Sequence, residues 1–301
     1  MRHLKTYLPA LFALFVTSAA GVHAGTPLLL LFPAGGRAGA LAGAFTSVAD
    51  DAETVFYNPA GLSTTTRVNG GIMYRSLGES FVSDIFMVSA DLSVPFDNYG
   101  VGAGFIYEKV DENGSYDFYA VASYSTKLGK KSAYGLGVKY LRSLVQGEGD
   151  GSAMGFDMGI ILSSAPYSVG LSVQNWRQPI DYGDRPQELP EVIRIGLSYK
   201  DPRTHAPLSI EYRRIDGPDR RSFIHAGVEV PAVAGKLCLR AGYEREINTG
   251  EDSILFGLGI RLGTKQKSGL NNLSDFEFNA YDDLRVGGPQ DMRVELRRRP
   301  L

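Results

Sequence analysis

Two histidines, His205 and His225, remain beyond residue 24 of this 301-residue chain, so histidine-dependent chemistry has to be built from them. His225 lies close in sequence to Ser222, with Ser209 further away, and residue types alone would permit a serine nucleophile paired with a histidine base. The glycine-flanked elbow that exposes such a serine is missing. Gly35-Gly36-Arg37-Ala38-Gly39 resembles a phosphate loop only loosely, since it lacks both the glycine spacing and the lysine-serine pair. One cysteine, Cys238, excludes an internal disulfide, and no Cys/His cluster offers a metal or cofactor site. The expectation is no enzyme, no metal and no cofactor.

A different chemistry is spread through the rest of the chain. Charges of both signs recur at alternate positions of otherwise apolar segments: Asp91, Glu108, Lys139, Asp157, Arg194, Glu211, Arg213, Glu229, Arg240, Glu244, Arg261, Glu277, Arg293, Glu295 and Arg297. Successive side chains of a strand point to opposite faces, so these residues share the face away from the apolar ones. Such a surface could orient an ionic headgroup, with Arg194, Glu211, Arg213, Arg240, Glu244 and Arg261 as the candidates facing the interior. It could equally pair its charges across strands and fill a wet interior. The balance of signs favours pairing.

The elements that would position these charges are short strands. In Tyr99-Gly100-Val101-Gly102-Ala103-Gly104-Phe105-Ile106-Tyr107-Glu108 every odd position is apolar, and the same dyad recurs in Tyr134, Leu136, Val138 and Tyr140, then in Ile254, Phe256, Leu258 and Ile260. Period two sustained over this length excludes amphipathic helices. Fourteen strands are expected: Arg67 to Ser76, Val82 to Val94, Tyr99 to Val110, Ser115 to Lys127, Ser132 to Val145, Ser152 to Ser163, Tyr167 to Arg177, Glu191 to Lys200, Pro207 to Ile215, Ser222 to Val230, Lys236 to Glu246, Ser253 to Leu262, Leu273 to Tyr281 and Asp291 to Arg298. The fold class is therefore all-β, a closed antiparallel transmembrane β-barrel with apolar side chains outward. Tyr99 with Tyr107 and Tyr116 with Tyr124 would mark aromatic girdles at its two rims. Alternate turns segregate by sign. One set carries Asp111, Glu112, Glu148, Asp150, Asp181, Asp184, Glu188, Glu251 and Asp252, and the other Lys130, Lys131, Lys200, Arg203, Lys236, Lys265 and Lys267; the acidic set is expected outside the cell. Inward glycines at Gly100, Gly102, Gly104, Gly135, Gly137, Gly257 and Gly259 would let a second backbone approach. A net charge of -2 argues against nucleic acid as a partner.

The N-terminus sets the compartment. Arg2 and Lys5 precede an apolar run from Tyr7 to Ala20 and then Val22-His23-Ala24, the form of a signal peptide cleaved after Ala24 and too short for a spanning helix. Residues 1–24 are thus read as signal peptide, 25–65 as an N-terminal hatch or plug, and 66–301 as the barrel. The hatch is too rich in glycine and alanine for a strand, and Pro59 makes Asn58-Pro59-Ala60-Gly61 a turn.

Arg37, the glycine/alanine run after it, Ala49-Asp50-Asp51 and Asn58-Pro59-Ala60-Gly61-Leu62 stand in the order seen in the hatch of FadL-like outer-membrane proteins. The chain resembles that superfamily, most closely its PorV/PorQ branch. The resemblance implies a fourteen-stranded plugged barrel in the outer membrane, with Arg37, Asn58, Pro59 and Ala60 in the hatch or ligand passage. It implies passive transport of a hydrophobic small molecule or, alternatively, a docking accessory for type IX-type protein secretion. Expected partners are outer-membrane lipid, the hydrophobic ligand or secretion-machinery proteins, and the barrel-assembly machinery. The chain departs from the long-chain fatty-acid transporters of that group in being shorter, with no long extracellular insertion.

Overall fold

The computed structural model describes residues 33–65, 68–76, 86–109, 114–145, 149–176, 179–181, 186–204, 206–217, 220–232, 237–262, 276–285 and 291–298. The expected signal peptide, and the turn residues Asp111, Glu112, Glu148, Asp184, Lys236, Lys265 and Lys267, lie outside the described residues. One antiparallel sheet holds β1 (Asn69–Ser76), β2 (Phe86–Pro95), β3 (Tyr99–Lys109), β4 (Tyr116–Leu128), β5 (Ser132–Val145), β6 (Gly149–Ser164), β7 (Tyr167–Gln174), β8 (Pro179–Asp181), β9 (Pro186–Glu188), β10 (Glu191–Lys200), β11 (Pro207–Asp216), β12 (Arg221–Ala232), β13 (Leu237–Glu246), β14 (Asp252–Leu262), β15 (Phe276–Arg285) and β16 (Asp291–Arg298).

The pairings close on themselves. Each long strand bonds its neighbours in sequence, β7 bonds β10, and β1 bonds β16 with Gly70 opposite Arg298 and Arg75 opposite Arg293. Among the described strands only β8 and β9 stand outside this ring, as a small hairpin leaning on β6 through Ser152 and Asp181. The fold is thus a closed transmembrane β-barrel of fourteen strands, and closure removes the edges whose unpaired backbone could not exist in lipid.

Alternation decides which side faces what. On β5 the outward Leu136 is 61% exposed, while its neighbours Gly135 and Gly137 and the lysine at 139 are buried. The same parity holds on β3, where Tyr99, Val101 and Phe105 are exposed and Ile106 and Glu108 are buried. Aromatic pairs stack on the outer face near both rims, Tyr99 on Tyr124 and, at the other end of the same two strands, Tyr107 on Tyr116.

Several strand limits differ from those read in the sequence. Strand β6 starts at Gly149 rather than Ser152, because it pairs with the full length of β5 from Val145 to Ser132. The segment after Asp282, expected as loop, stays in β15 to Arg285 by pairing with β14 up to Ser253. Strand β7 ends at Gln174 instead of Arg177, where Asn175 turns with φ 59. The loop expected over Gln178 to Pro190 contains β8 and β9, whose three-residue length carries no readable period.

Inside the ring lies the segment 33–65, built of a helix α1 (Gly36–Ala40) and two 3-10 helices, η1 (Ala52–Phe56) and η2 (Pro59–Ser63). Nearly all of it is buried, although it is short and rich in small residues. Its hydrophobic side chains Phe45, Val55, Phe56, Tyr57 and Leu62 form one core with inward residues of the barrel wall.

Two substitutions test the register. Val138→Arg, in the middle of β5 and facing out, should cost about 2–4 kcal/mol of barrel stability. Ser172→Ala, whose inward hydroxyl has no hydrogen-bond partner among the described residues, should change stability by less than about 1 kcal/mol. Denaturant titration of the refolded proteins in lipid measures both.

Candidate functional site

The barrel interior divides along its length. The half nearest the turns at 96–98, 129–131 and 165–166 is filled by the segment 33–65, and here the wall is made of glycine. A Cβ at Gly135 would fall on the backbone of Pro59 and Ala60, one at Gly100 on the backbone of Leu62, and one at Gly170 on the backbone of Thr46. Gly102 and Gly104 likewise make room for Leu62, Val55 and Phe56. Gly137 differs from the expectation, since the side chains nearest it are Ser123 and Asp157 of the wall itself.

Barrel side chains hold the plug by its backbone. Glu211 of β11 accepts hydrogen bonds from the N–H groups of Phe45 (3.1 Å) and Thr46 (2.9 Å), while its other oxygen accepts from Arg194 at 2.9 Å. Ser209 donates to the carbonyl of Ala44, Gln174 to that of Phe56 and Ser125 to that of Ala60. These groups satisfy the polar backbone of short irregular helices, which would otherwise be buried without partners. The Arg194 guanidinium also lies over the ring of Tyr57, whose hydroxyl donates to the carbonyl of Ala34.

Arg37 is the densest node. It is 2% exposed, and its Nε donates to Glu229 at 2.7 Å while Nη1 donates to Asp50 at 2.5 Å and Asp51 at 2.6 Å. Burial alone favours a neutral guanidine, yet the carboxylates of Asp50, Glu229 and Asp51 outweigh it and hold the Arg37 pKa well above its ordinary value. Glu229 also accepts from Arg240 of β13 at 2.7 Å, so one barrel carboxylate joins an arginine of the plug to one of the wall. Glu53 accepts from the N–H groups of Arg37 and Ala38 and thereby caps α1, whose N-cap residue Gly35 has no side chain to do so.

Asn58 does more than turn the chain into Pro59. Its Oδ1 accepts from the N–H of Ala60, as an N-cap does, and its Nδ2 donates to the carbonyls of Thr46 in the plug (2.9 Å) and Ile160 in β6 (3.2 Å). Pro59 and Ala60 pack against β5 at Gly135. Thus Asn58, Pro59 and Ala60 lie deep in the seal between plug and wall.

The remaining candidates are dispersed. Arg213 and Glu244 approach at 3.5 Å on the long-loop side of the plug, with Arg213 over the ring of Phe223 and His225 Nδ1 3.2 Å from Glu244. Arg261 lies in β14 opposite Glu277, and its side chain is outside the described residues. His205 is also outside them. The expectation of ion pairs across neighbouring strands holds for Arg194 with Glu211 and Lys139 with Asp157, but Glu211 and Glu229 also serve the plug. Among the described residues no group of three His, Cys, Asp or Glu side chains could hold a metal.

Above the plug, toward the loop 175–190, the wall turns apolar on one side. Met73 of β1 and Ile106, Tyr119, Leu141 and Ala153 of β3 to β6 lie on a single rung, all buried, with Ser89 at the β2 position between them. Phe56 of η1 meets this rung at Tyr119, ring to ring at 6.3 Å, and Leu189 of the loop reaches the same core. Asn175 tethers that loop by donating to the carbonyl of Pro190, and its own Oδ1 accepts from Lys139. The sequence dyads mark Ile106 and Leu141 as breaks in an otherwise small or charged inner face, which is the signal for this patch; Gln174 and Asn175 carry no such signal.

Removing the clamp should loosen the plug. Glu211→Ala leaves Arg194 buried without its carboxylate and two plug N–H groups without acceptors, and should cost about 3–5 kcal/mol in denaturant titration. Gly135→Ala, by pushing on the backbone of η2, should make residues 33–65 susceptible to protease while heat-modifiable migration of the barrel persists.

No family model and no curated protein matches the chain. Solved structures do. A Pseudomonas aeruginosa FadL homologue superposes with a TM-score of 0.56 at 11% identity, covering 89% of this chain and 97% of that one. The P. putida toluene transporter TodX gives 0.54 at 13% identity over 87% and 95% of the two chains, and a TodX variant described as a monoaromatic hydrocarbon channel gives 0.52 at 12% identity over 82% and 92%. At such identities the likeness is one of fold, and nothing in it points to the PorV/PorQ branch. The chain has the fold of FadL-type outer-membrane barrels.

Proposed function

We propose that this chain is an outer-membrane passage for small hydrophobic molecules, working without a catalytic step, with residues 1–24 removed on export. The observation that carries the reading is the apolar rung of Met73, Ile106, Tyr119, Leu141 and Ala153, which extends the hydrophobic core of the plug along one side of the wall. These five side chains stand in register at one level, continuous with the apolar face of the plug. They offer a hydrophobic solute a place to leave water just above the plug, with Phe56 as the floor. The similar folds whose names specify toluene and monoaromatic hydrocarbons support the same reading. The outward apolar face meets lipid, and the barrel-assembly machinery is the partner that would insert it.

Expression in a Gram-negative host without a hydrocarbon channel should raise the initial rate of radiolabelled toluene uptake. Leu141→Arg should return uptake to the empty-vector rate at an equal amount of protein in the outer membrane. Wild-type protein that adds no toluene uptake would overturn the reading. Deleting residues 25–65 should, in addition, let small sugars swell liposomes, since a fourteen-stranded ring without its filling leaves an aqueous lumen.

A further inference from the structure

One rung beyond the apolar patch, toward the long loops, the inward positions in register are Arg75, Met87, Glu108, Asp117 and Ser143. Glu108 is 0% exposed, and neither of its carboxylate oxygens has a hydrogen-bond partner among the described residues. Its neighbours on the same face are Ile106 along β3, Met87 across β2 and Asp117 across β4. Arg75 stands one strand further on, across Met87, and gives Glu108 no hydrogen bond. A second acid directly opposite makes the local field more negative still.

An unpaired buried carboxylate is costly, and the cost is recovered when a donor arrives, above all a charged one. Elsewhere in this lumen Glu211 has Arg194 and two backbone N–H groups, Glu229 has Arg37 and Arg240, and Asp157 has Lys139. Glu108 differs from these three, and it adjoins the apolar rung.

We propose that Glu108 is the headgroup site for an apolar ligand bearing a cationic hydrogen-bond donor, such as a primary amine, whose hydrocarbon body lies on the rung of Ile106, Tyr119 and Leu141. This deepens the transport reading and rests on it, by assigning a polarity to the solute. Met87 and Ile106 exclude water from the contact, so the ammonium exchanges its hydration for Glu108 in a site of low dielectric, with Asp117 adding attraction from β4. The ring of Tyr119 offers a second surface to the bound ligand, although Lys139 already lies 5.0 Å from its centroid on the side toward Asp157. An anionic headgroup is disfavoured at this position by the same two acids.

Three probes that share one ring and differ in the head separate the possibilities: benzylamine, anisole and benzoate, titrated calorimetrically into the full chain in detergent. Benzylamine should bind about tenfold more tightly than anisole, with benzoate weakest, as one charge-assisted hydrogen bond implies. Glu108→Gln should bring benzylamine to within about twofold of anisole, and Glu108→Asp should keep most of the preference. Equal affinities for benzylamine and anisole in the wild type overturn the proposal without recourse to any variant, and so does a preference that survives Glu108→Gln. Toluene uptake in cells is an independent readout: its loss alongside an intact amine preference sinks the transport reading and leaves the binding site, whereas normal uptake with no amine preference sinks this site alone.

Discussion

A ring of fourteen strands encloses a lumen wider than its own inward side chains can fill, and here many of the inward positions on the plugged half are glycines. Filling therefore falls to residues 33–65, a segment too short and too poor in large apolar groups to fold by its own burial. What makes it possible is hydrogen bonding between barrel side chains, accepting or donating, and the plug backbone. Glu211 takes two N–H groups, Ser209, Gln174 and Ser125 supply donors to three carbonyls, and α1 needs the side chain of Glu53 for a cap. Take away these partners and five-residue helices would bury unpaired backbone at several places at once.

The same demand explains why the lumen carries both signs of charge. A carboxylate that reaches a backbone N–H from inside a barrel is itself buried, so it needs a cation close by. Glu211 has Arg194 and Glu229 has Arg37 and Arg240. Arg37 then needs Asp50 and Asp51, and the chain of compensation ends where Asp50 reaches the half-exposed Lys200. Many of the charges are thus organised around the plug, which leaves one rung of the β1–β6 wall above it free to be apolar.

Legibility followed the range of the interaction. The dyads of β3, β5 and β14 are local, and strand existence, facing and closure class could be read from them. Strand ends could not, because the start of β6 at Gly149 depends on pairing with β5 and the length of β15 on pairing with β14. The hatch motif gave Arg37 and Asn58 as positions of interest through resemblance, but their partners Glu229 and Ile160 lie 192 and 102 residues away. Alternation placed Glu211 inside; nothing in one sequence says that it meets Phe45 rather than a neighbouring strand. Glycine was more informative than charge. The inward Gly100, Gly102, Gly104 and Gly135 pointed to a second backbone, and all four stand against plug atoms.

Energetics also distribute mobility within the plug. Moving the whole segment out of the ring would take Arg37 from Glu229 and the Phe45 and Thr46 N–H groups from Glu211, and breaking a buried ion pair costs about 3–5 kcal/mol. The η1 end is bound differently: Val55 and Phe56 rest on Gly102, Gly104 and Tyr119 through apolar contact, with the Gln174 bond to the Phe56 carbonyl as a polar tie. Apolar contact is non-directional and can be exchanged for contact with a hydrophobic solute at little net cost. The part of the plug that faces the apolar rung is therefore also the part that a hydrophobic solute can displace most cheaply, while the ion-paired anchors keep the remainder of the seal in place.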